Sequence, residues 1–451
     1  MRRKRAAVVV LGDFGRSPRM QYHALSLADQ SGYDVDVVAY GGSAPLAKIS
    51  SHPSITVHTL RPVLGAVDRA KLSRVLVPLF LLLKAALQVW QVLWAVGATI
   101  PRPEVVVFQN PPGTPGMGVA GVACWLRGSK MVVDWHNYGY TILSLGLGER
   151  SLAVRAARIL ERWCGKMGHA HLCVTEAMAR DLAENWGIAG AVVLHDRPPQ
   201  HFKAVSTDER HAAFLRLHEE LVDGFDGEDW VTEQFAGRPM GGDTVVTRVH
   251  ESPERVVERE DRCAVVVSST SWTADEDFSL LLDAAVLYDS WVAARHLPRL
   301  LVLVTGKGPQ KAEYETKMKA LGLKHVAFRT LWLAMDDYPV VVGSADLGVC
   351  LHASSSGLDL PMKVVDMLGA GIPVAAVRYA CIGELVHEGV TGRTFADARE
   401  LANLLGELLK GFPFPEHANA PLPRMRKLIE EGRPGRRWDA TWAAAWAKLD
   451  L

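Results

Sequence analysis

Short apolar runs recur through this chain, each closing on small or polar residues and each followed by a stretch with helical spacing. In the first block they lie at 6–11, 34–39, 55–58, 104–108, 130–134, 170–175 and 191–195. In the second they lie at 263–268, 300–304, 325–328, 347–351 and 372–376. A strand buried on both faces of a parallel sheet reads as a continuous apolar run rather than an alternating one. Strands that alternate with amphipathic helices predict doubly wound parallel α/β architecture. The chain therefore reads as two α/β domains, 1–200 and 263–424. Between them, 201–262 is a charge-rich insertion or linker, with a helix around 208–222 and a mobile loop after it. Pro413, Pro415, Pro421 and Pro423 mark a second linker. A helix within 425–451, carrying Trp438, Trp442 and Trp446 at i, i+4 spacing, is expected to pack back on the first domain.

One stretch departs from the pattern. Residues 75–100 are apolar over a bilayer-spanning length, yet Pro78, Lys84, Gln88 and Gln91 interrupt them. Lys84, Gln88 and Gln91 fall on one helical face, which makes a poor isolated span. Packing on the sheet or lying in a membrane interface fits better, with Trp90 and Trp94 membrane-facing.

Composition narrows the class. The chain has 451 residues and a formal net charge of zero, so nothing calls for a nucleic-acid partner. Its six cysteines (124, 164, 173, 263, 350, 381) show no metal-ligand spacing and read as reduced thiols facing a cytosol. The basic start, residues 1–5, runs into an apolar stretch too short for a signal peptide or a membrane span. It is a solvated tail, or one that touches anionic headgroups.

The candidate chemistry sits in the loops that follow the strands, where α/β domains bind ligands. The densest stretch is 352–369, where Ser356, Gly357, Asp359, Lys363 and Asp366 surround a helix opening near Pro361. A strand, tight turn and helix N-terminus offer N–H groups and partial positive charge to a diphosphate, and Lys363 adds a full charge. Gly306 and Lys307 follow another strand, without the spacing of a P-loop. Ser269 and Ser271 follow a third. Asp275 and Asp277 could suggest a metal, but acids in a first helical turn are ordinary dipole partners. In the first domain Asp13, Gly15, Arg16 and Arg19 close the first strand, without G-x-G-x-x-G. The arginines suit phosphate, and Gly15 permits close backbone approach. The 134–140 loop carries His136.

Several of these segments resemble one family in detail: 12–25 (GDFGRSPRMQYHAL), 109–113 (QNPPG), 134–140 (DWHNYGY), 268–273 (SSTSWT), 305–309 (TGKGP) and 344–366. The chain resembles the GT-B glycosyltransferases, and among them the chitobiosyldiphosphodolichol β-mannosyltransferase family. The likeness covers both domains and fades in 204–262 and the proline-rich segment. It implies the GT-B fold, two facing Rossmann-like domains with a cleft between them. It implies GDP-mannose as donor, dolichyl-diphosphate-linked chitobiose as acceptor, and an inverted β-1,4 bond made at the cytosolic face of the endoplasmic reticulum membrane. Other mannosyltransferases of that route become candidate partners. Inversion needs a base on the acceptor hydroxyl, for which Asp13 and His136 are candidates, and stabilisation of the departing GDP, which suits Lys363 and Lys307. Asp366 lies where related enzymes place an acid on the donor ribose. Retaining relatives carry an E-x7-E pair. Here Leu358 stands at the other acidic position, and Asp359 follows one place later. The resemblance implies no cofactor and no essential metal. An epimerase of the same fold, another lipid-linked glycosyltransferase and a non-catalytic membrane scaffold are the alternatives.

Overall fold

The computed structural model describes residues 3–61, 76–222, 229–235, 242–251, 254–273, 276–414, 420–433 and 437–451. It divides into two compact units. The first runs to Asp196 and is joined by Trp438–Leu451, and the second is Arg197–Arg437.

Among the described residues the first unit is built on seven parallel strands: β1 (Arg5–Asp13), β2 (Asp34–Tyr40), β3 (Ile55–Leu60), β4 (Val105–Asn110), β5 (Lys130–Trp135), β6 (Ala170–Cys173) and β7 (Val192–Val193). Their order is β3-β2-β1-β4-β5-β6-β7. Ala6 to Val10 are fully buried, as a strand covered on both faces requires. The order reverses between β1 and β4, so the loops leaving those strands diverge and open a crevice at their C-terminal ends.

The second unit has a hairpin of β8 (Thr247–Glu251) and β9 (Glu254–Glu258). Its main sheet holds β10 (Ala264–Ser269), β11 (Leu300–Thr305), β12 (Val326–Leu331), β13 (Leu347–Cys350), β14 (Val374–Val377) and β15 (Gly392–Phe395). Their order is β12-β11-β10-β13-β14-β15, all parallel. The reversal now falls between β10 and β13. The loops after them are the 269–276 and 351–363 segments.

Four expectations change. The 201–262 segment is no separate linker. Its helices Thr207–Arg216, His218–Val222 and Trp230–Phe235 and its hairpin belong to the second unit. Arg329 of β12 holds it, donating to the Leu221 carbonyl (2.6 Å) and bidentately to Asp229 (2.6 and 2.9 Å). Where a mobile loop was expected, the described residues form a helix with buried Trp230 and the hairpin; 223–228 and 236–241 lie outside them. Pro421 and Pro423 do not mark a linker either. They open the helix Pro421–Gly432, whose first turn needs no N–H.

The described part of the basic start is no free tail, although the Arg3 and Lys4 side chains stay 61% and 67% exposed. Arg3, Lys4 and Arg5 pair with Asp34 (3.7 Å), Glu104 (3.4 Å) and Asp36 (2.8 Å) along the edge where the strands begin. The apolar stretch is the helix Leu76–Trp94, continued by a π-turn over Ala95–Thr99. Among the described residues no helix is long and apolar enough to cross a membrane. Gln91 turns inward to Tyr40 (3.3 Å) and the Arg61 carbonyl (2.9 Å), while Trp90 and Trp94 stack outward. The side chain of Lys84 lies outside what is described.

Arg329→Ala should take the cation from Asp229 and the side-chain donor from the Leu221 carbonyl. Urea unfolding should show a loss of about 3–5 kcal/mol, which a separately folding 201–262 segment would not produce.

Candidate active site

In the first unit the C-terminal end of β5 carries Asp134, with no exposed surface. Its Oδ1 accepts from Arg19 (2.8 Å). Its Oδ2 accepts from Arg19 Nε (2.8 Å), His23 Nε2 (3.0 Å) and His136 Nε2 (2.7 Å). Arg19 also donates to the Leu194 carbonyl (2.7 Å) and to Asp196 (3.1 Å). A buried carboxylate is costly unless fully paired. Burial alone would raise its pKa. The Arg19 guanidinium, aided by both imidazoles, outweighs that and holds the carboxyl well below its ordinary range.

The ring states follow from the donors. Trp442 of the helix Trp438–Trp446 donates its indole N–H to His23 Nδ1 (2.9 Å), so His23 carries its proton on Nε2 and gives it to Asp134. Burial pushes His23 down from its ordinary 6.5 and keeps it neutral. His136 donates through Nε2 in the same way, which makes Nδ1 its basic nitrogen. Unlike His23 its ring is part-exposed, at 23%.

The loop bearing His136 is held by two groups, Glu161, which sequence patterns did not single out, and Tyr138 of the loop itself. Glu161, itself buried, accepts from Asn110 (2.8 Å) and from the N–H groups of Gly139 (2.7 Å) and Tyr140 (3.0 Å), capping the helix Gly139–Leu147. Tyr138 stacks on Trp186 at 4.4 Å and donates to Asp181 (2.6 Å).

Asp13 sits elsewhere. Its Oδ1 accepts from the Gly15 N–H (3.1 Å) and its Oδ2 from the Ser43 N–H (2.9 Å) and hydroxyl (2.8 Å). It caps the short turn Phe14–Arg16 and ties it to the loop after β2. Desolvation works to raise its pKa, but these hydrogen bonds prevail and lower it. Gly15 is needed for the same junction, because a Cβ there would lie 2.4 Å from the Ser43 carbonyl oxygen. Arg16 is exposed beside it. Arg19, read as a phosphate ligand, is instead 5% exposed and committed to Asp134 and Asp196.

In the second unit the crevice loops meet around an ion pair. Lys363 pairs with Glu276, which is 4% exposed. Glu276 Oε2 accepts from the Thr270 hydroxyl and the Ser271 N–H (2.9 Å), and its backbone bridges His352 at the mouth of the serine-rich turn. The loop after β10 is thereby clamped to the helix Met362–Gly369. Pro361 is the residue before that helix, in an extended conformation, rather than its first turn.

Gly306, at φ 133°, lets the loop after β11 lie against the Thr270 carbonyl, where a Cβ would stand 1.8 Å away. Lys307 extends from it over the Trp332 ring at 3.9 Å. Ser269 receives hydrogen bonds from Thr305 (3.1 Å) and Tyr338 (3.0 Å). Burial, with Asp366 close by, pushes Tyr338 up to about 12.

Asp359 turns into the loop itself. It accepts from Ser354 and Ser356 (3.3 Å), and its backbone carbonyl from Tyr379 (3.0 Å). Burial raises its pKa. Gly357 supplies the left-handed residue of the turn, at φ 72°. Thr270, Ser271 and Lys363 thus converge on Glu276, and Tyr338, with Asp366 close by, on Ser269, while Ser354, Ser356 and Gly357 form the turn into which Asp359 folds. Glu276 is the group sequence reading passed over. Of the two acids read as a possible metal site, Asp275 lies outside the described residues, and Asp277 accepts from Ser279. Among the described residues no group of three or more His, Cys, Asp or Glu is placed to hold a metal.

Comparison with known proteins follows the same division. Residues 15–195 match the glycosyl transferase 4-like domain, and 244–411 match glycosyl transferases group 1. The chain is 46% identical to the UDP-glycosyltransferase TURAN of Arabidopsis thaliana, over 99% of this chain and 96% of that one. It is 41% identical to the human chitobiosyldiphosphodolichol β-mannosyltransferase, over 98% and 92%. The Dictyostelium discoideum protein of that name is 36% identical, over 97% and 92%. Among solved structures, Anabaena HepE in complex with UDP superposes with a TM-score of 0.60 at 15% identity, covering 99% of this chain and 100% of that one. That likeness carries the fold alone.

The Asp134 cluster sets a test that needs no substrate. His23 and Asp134 both have folded pKa values below their ordinary 6.5 and 3.8. On acidification the unfolded chain takes up protons before the folded one does, so stability falls. Urea midpoints should drop below about pH 6.5 through His23 and again below about pH 4 through Asp134. His23→Gln should shrink the upper step without abolishing it, because burial also lowers His171, to about 4, and His201.

Proposed function

This chain belongs to the family of the chitobiosyldiphosphodolichol β-mannosyltransferases, and from that membership we propose that it moves mannose from GDP-mannose to dolichyl-diphosphate-linked chitobiose with inversion, forming a β-1,4 bond. It is a hexosyltransferase of GT-B fold. The observation that carries the acceptor and the sugar is the full-length likeness, 41% identity over 98% of the chain, to proteins of that name. The Arabidopsis relative's name specifies UDP, so a UDP-sugar donor is the second reading.

In the chemical step the acceptor hydroxyl attacks the mannose anomeric carbon, the bond from that carbon to the diphosphate oxygen breaks, and GDP departs with the electron pair. His136 takes the hydroxyl proton on Nδ1. Asp134, ionised and buried, holds the ring by Nε2 and stabilises the imidazolium that forms. Asp13 is the weaker base candidate, because its oxygens are committed to Gly15 and Ser43.

In the second unit Lys363, aimed by Glu276, and the N-terminus of the helix Met362–Gly369 receive the diphosphate, and Lys307, over the Trp332 ring, is a second candidate cation. Fixed cations supply the charge for departure, so no metal enters the proposal. Asp366 receives the donor ribose. We place the reaction at the cytosolic face of the endoplasmic reticulum membrane, where a dolichol-borne acceptor presents its sugar.

The deciding assay supplies GDP-mannose or UDP-sugars, with and without a chitobiosyl-diphosphate lipid. A β-1,4-mannosylated lipid from GDP-mannose alone is expected. Transfer from a UDP-sugar would install the second reading. A free epimer without acceptor, or no turnover by folded protein, would overturn the transferase proposal.

In the same assay His136→Ala should cut kcat by about 10²–10⁴-fold with donor affinity retained. Lys363→Ala should lower kcat/KM for the donor by roughly 10²–10³-fold. Equal activity in either folded variant would remove that residue from its role.

A further inference from the structure

The first unit wears an apolar surface on the wrong side of its helices. In Leu152–Gly165 the sheet-facing positions are Val154, Glu161, Cys164 and Gly165, all buried. The opposite face should be polar in a helix surrounded by water. It is instead Leu152, Ile159 and Trp163, spaced i, i+7, i+11 on one outward line, with Leu152 77% and Trp163 75% exposed. The neighbouring helix Gly139–Leu147 has no charged residue and exposes Ile142, Leu145 and Leu147. On its other flank the helix Gly116–Arg127 exposes Trp125 and Leu126. These helices are firmly seated. A Cβ at Gly118 would lie 2.7 Å from Cys164 Sγ, and Glu161 caps Gly139–Leu147. The apolar ridge is therefore a fixed surface.

Charge selects the occupant. Arg155, Arg158, Arg162 and Lys166 run down one flank of the Leu152 line at spacings of three and four, and all four are exposed. Among the described residues no carboxylate pairs with Arg155 or Lys166. An outward apolar ridge with large aromatics and a cationic flank is the pattern of a helix lying in the headgroup region of an anionic bilayer. A soluble protein partner would be expected to meet a more polar rim.

We propose that the helix pair Gly139–Leu147 and Leu152–Gly165, extended by Trp125 and Leu126, is a monotopic bilayer-docking face with preference for anionic phospholipid. The choice of a membrane gains from the lipid-linked acceptor and rests on that reading to this extent, but the face is defined by its own residues. It supersedes Trp90 and Trp94 as the principal contact, because their helix carries no comparable basic flank in its described side chains. The same loop that bears His136 leads into this face, so docking would hold the base near the level of the headgroups.

The test is flotation of the whole chain with phosphatidylcholine vesicles, with and without about one-third phosphatidylserine, a share large enough to set a negative surface potential. The native chain should float with both and more strongly with the anionic vesicles. Leu152→Ser/Ile159→Ser/Trp163→Ser should lose roughly tenfold or more of its binding to both. Arg155→Glu/Lys166→Glu should lose only the anionic preference, by roughly tenfold or more. Circular dichroism and turnover of a short-chain, detergent-soluble acceptor check folding without the bilayer. Unchanged flotation by the folded triple variant, or no flotation by the native chain, would overturn the proposal. So would a native dimer in solution that the triple variant dissolves, since a second copy would then cover the face. Flotation without turnover would count against the transferase reading and leave the docking face standing.

Discussion

A buried carboxylate must be surrounded by donors, and the first unit is assembled around meeting that demand at Asp134. Arg19 brings the helix Pro18–Asp29, His23 brings a second turn of it, and Trp442 closes the ring from the far end of the chain. Asp196, just beyond β7, accepts from the same guanidinium. Once these are in place the carboxylate stays charged, His23 stays neutral, and His136 is left with one defined tautomer. The constraint that organises the first unit is thus also the one that orients the His136 ring.

The second unit meets a related problem differently. Lys363 and Glu276 also form a buried or half-buried pair, but at the mouth of a crevice. There the pair joins two loops that the strand order has separated, so its orientation depends on backbone contacts as well as charge. Gly306 and Gly308 allow the loop after β11 to approach within what a side chain would forbid. The result is a wall of small and hydroxyl residues with one oriented cation.

Much of this was legible along the chain, for a physical reason. Parallel strands buried on both faces leave continuous apolar runs, and tight turns at their ends are rich in Gly and Ser. The β10, β11 and β13 loops were therefore found from local pattern. What escaped depended on distance. Glu276 looks like any acid at a helix start, because its partner Lys363 is far along the chain. Arg19 looks like a phosphate ligand until Asp134 is brought to it. The tryptophan spacing near 438 announces a helix with something to bury, yet His23 lies 419 positions away from Trp442. The 201–262 segment misled by composition, since some of its charges are spent inside the second unit: Asp229 on Arg329 of β12, Arg210 on Glu258 and Arg262 on Asp346. The ridge on Leu152–Gly165 was also missed, because an amphipathic pattern does not say which face turns inward.

The closure of the first unit by Trp438 and Trp442 has a temporal side. A ribosome releases residues in order, and the 197–437 stretch stands between β7 and the helix that completes its hydrogen bonds. At usual elongation speeds of about 5–20 residues per second, the first unit waits on the order of tens of seconds for its last helix. During that interval the His23 ring lacks its indole donor, and the outer face of Pro18–Asp29 lacks its cover. The nascent chain is then a client for whatever shields apolar surface at the ribosome exit, and a chain stopped short of Trp438 would stay one.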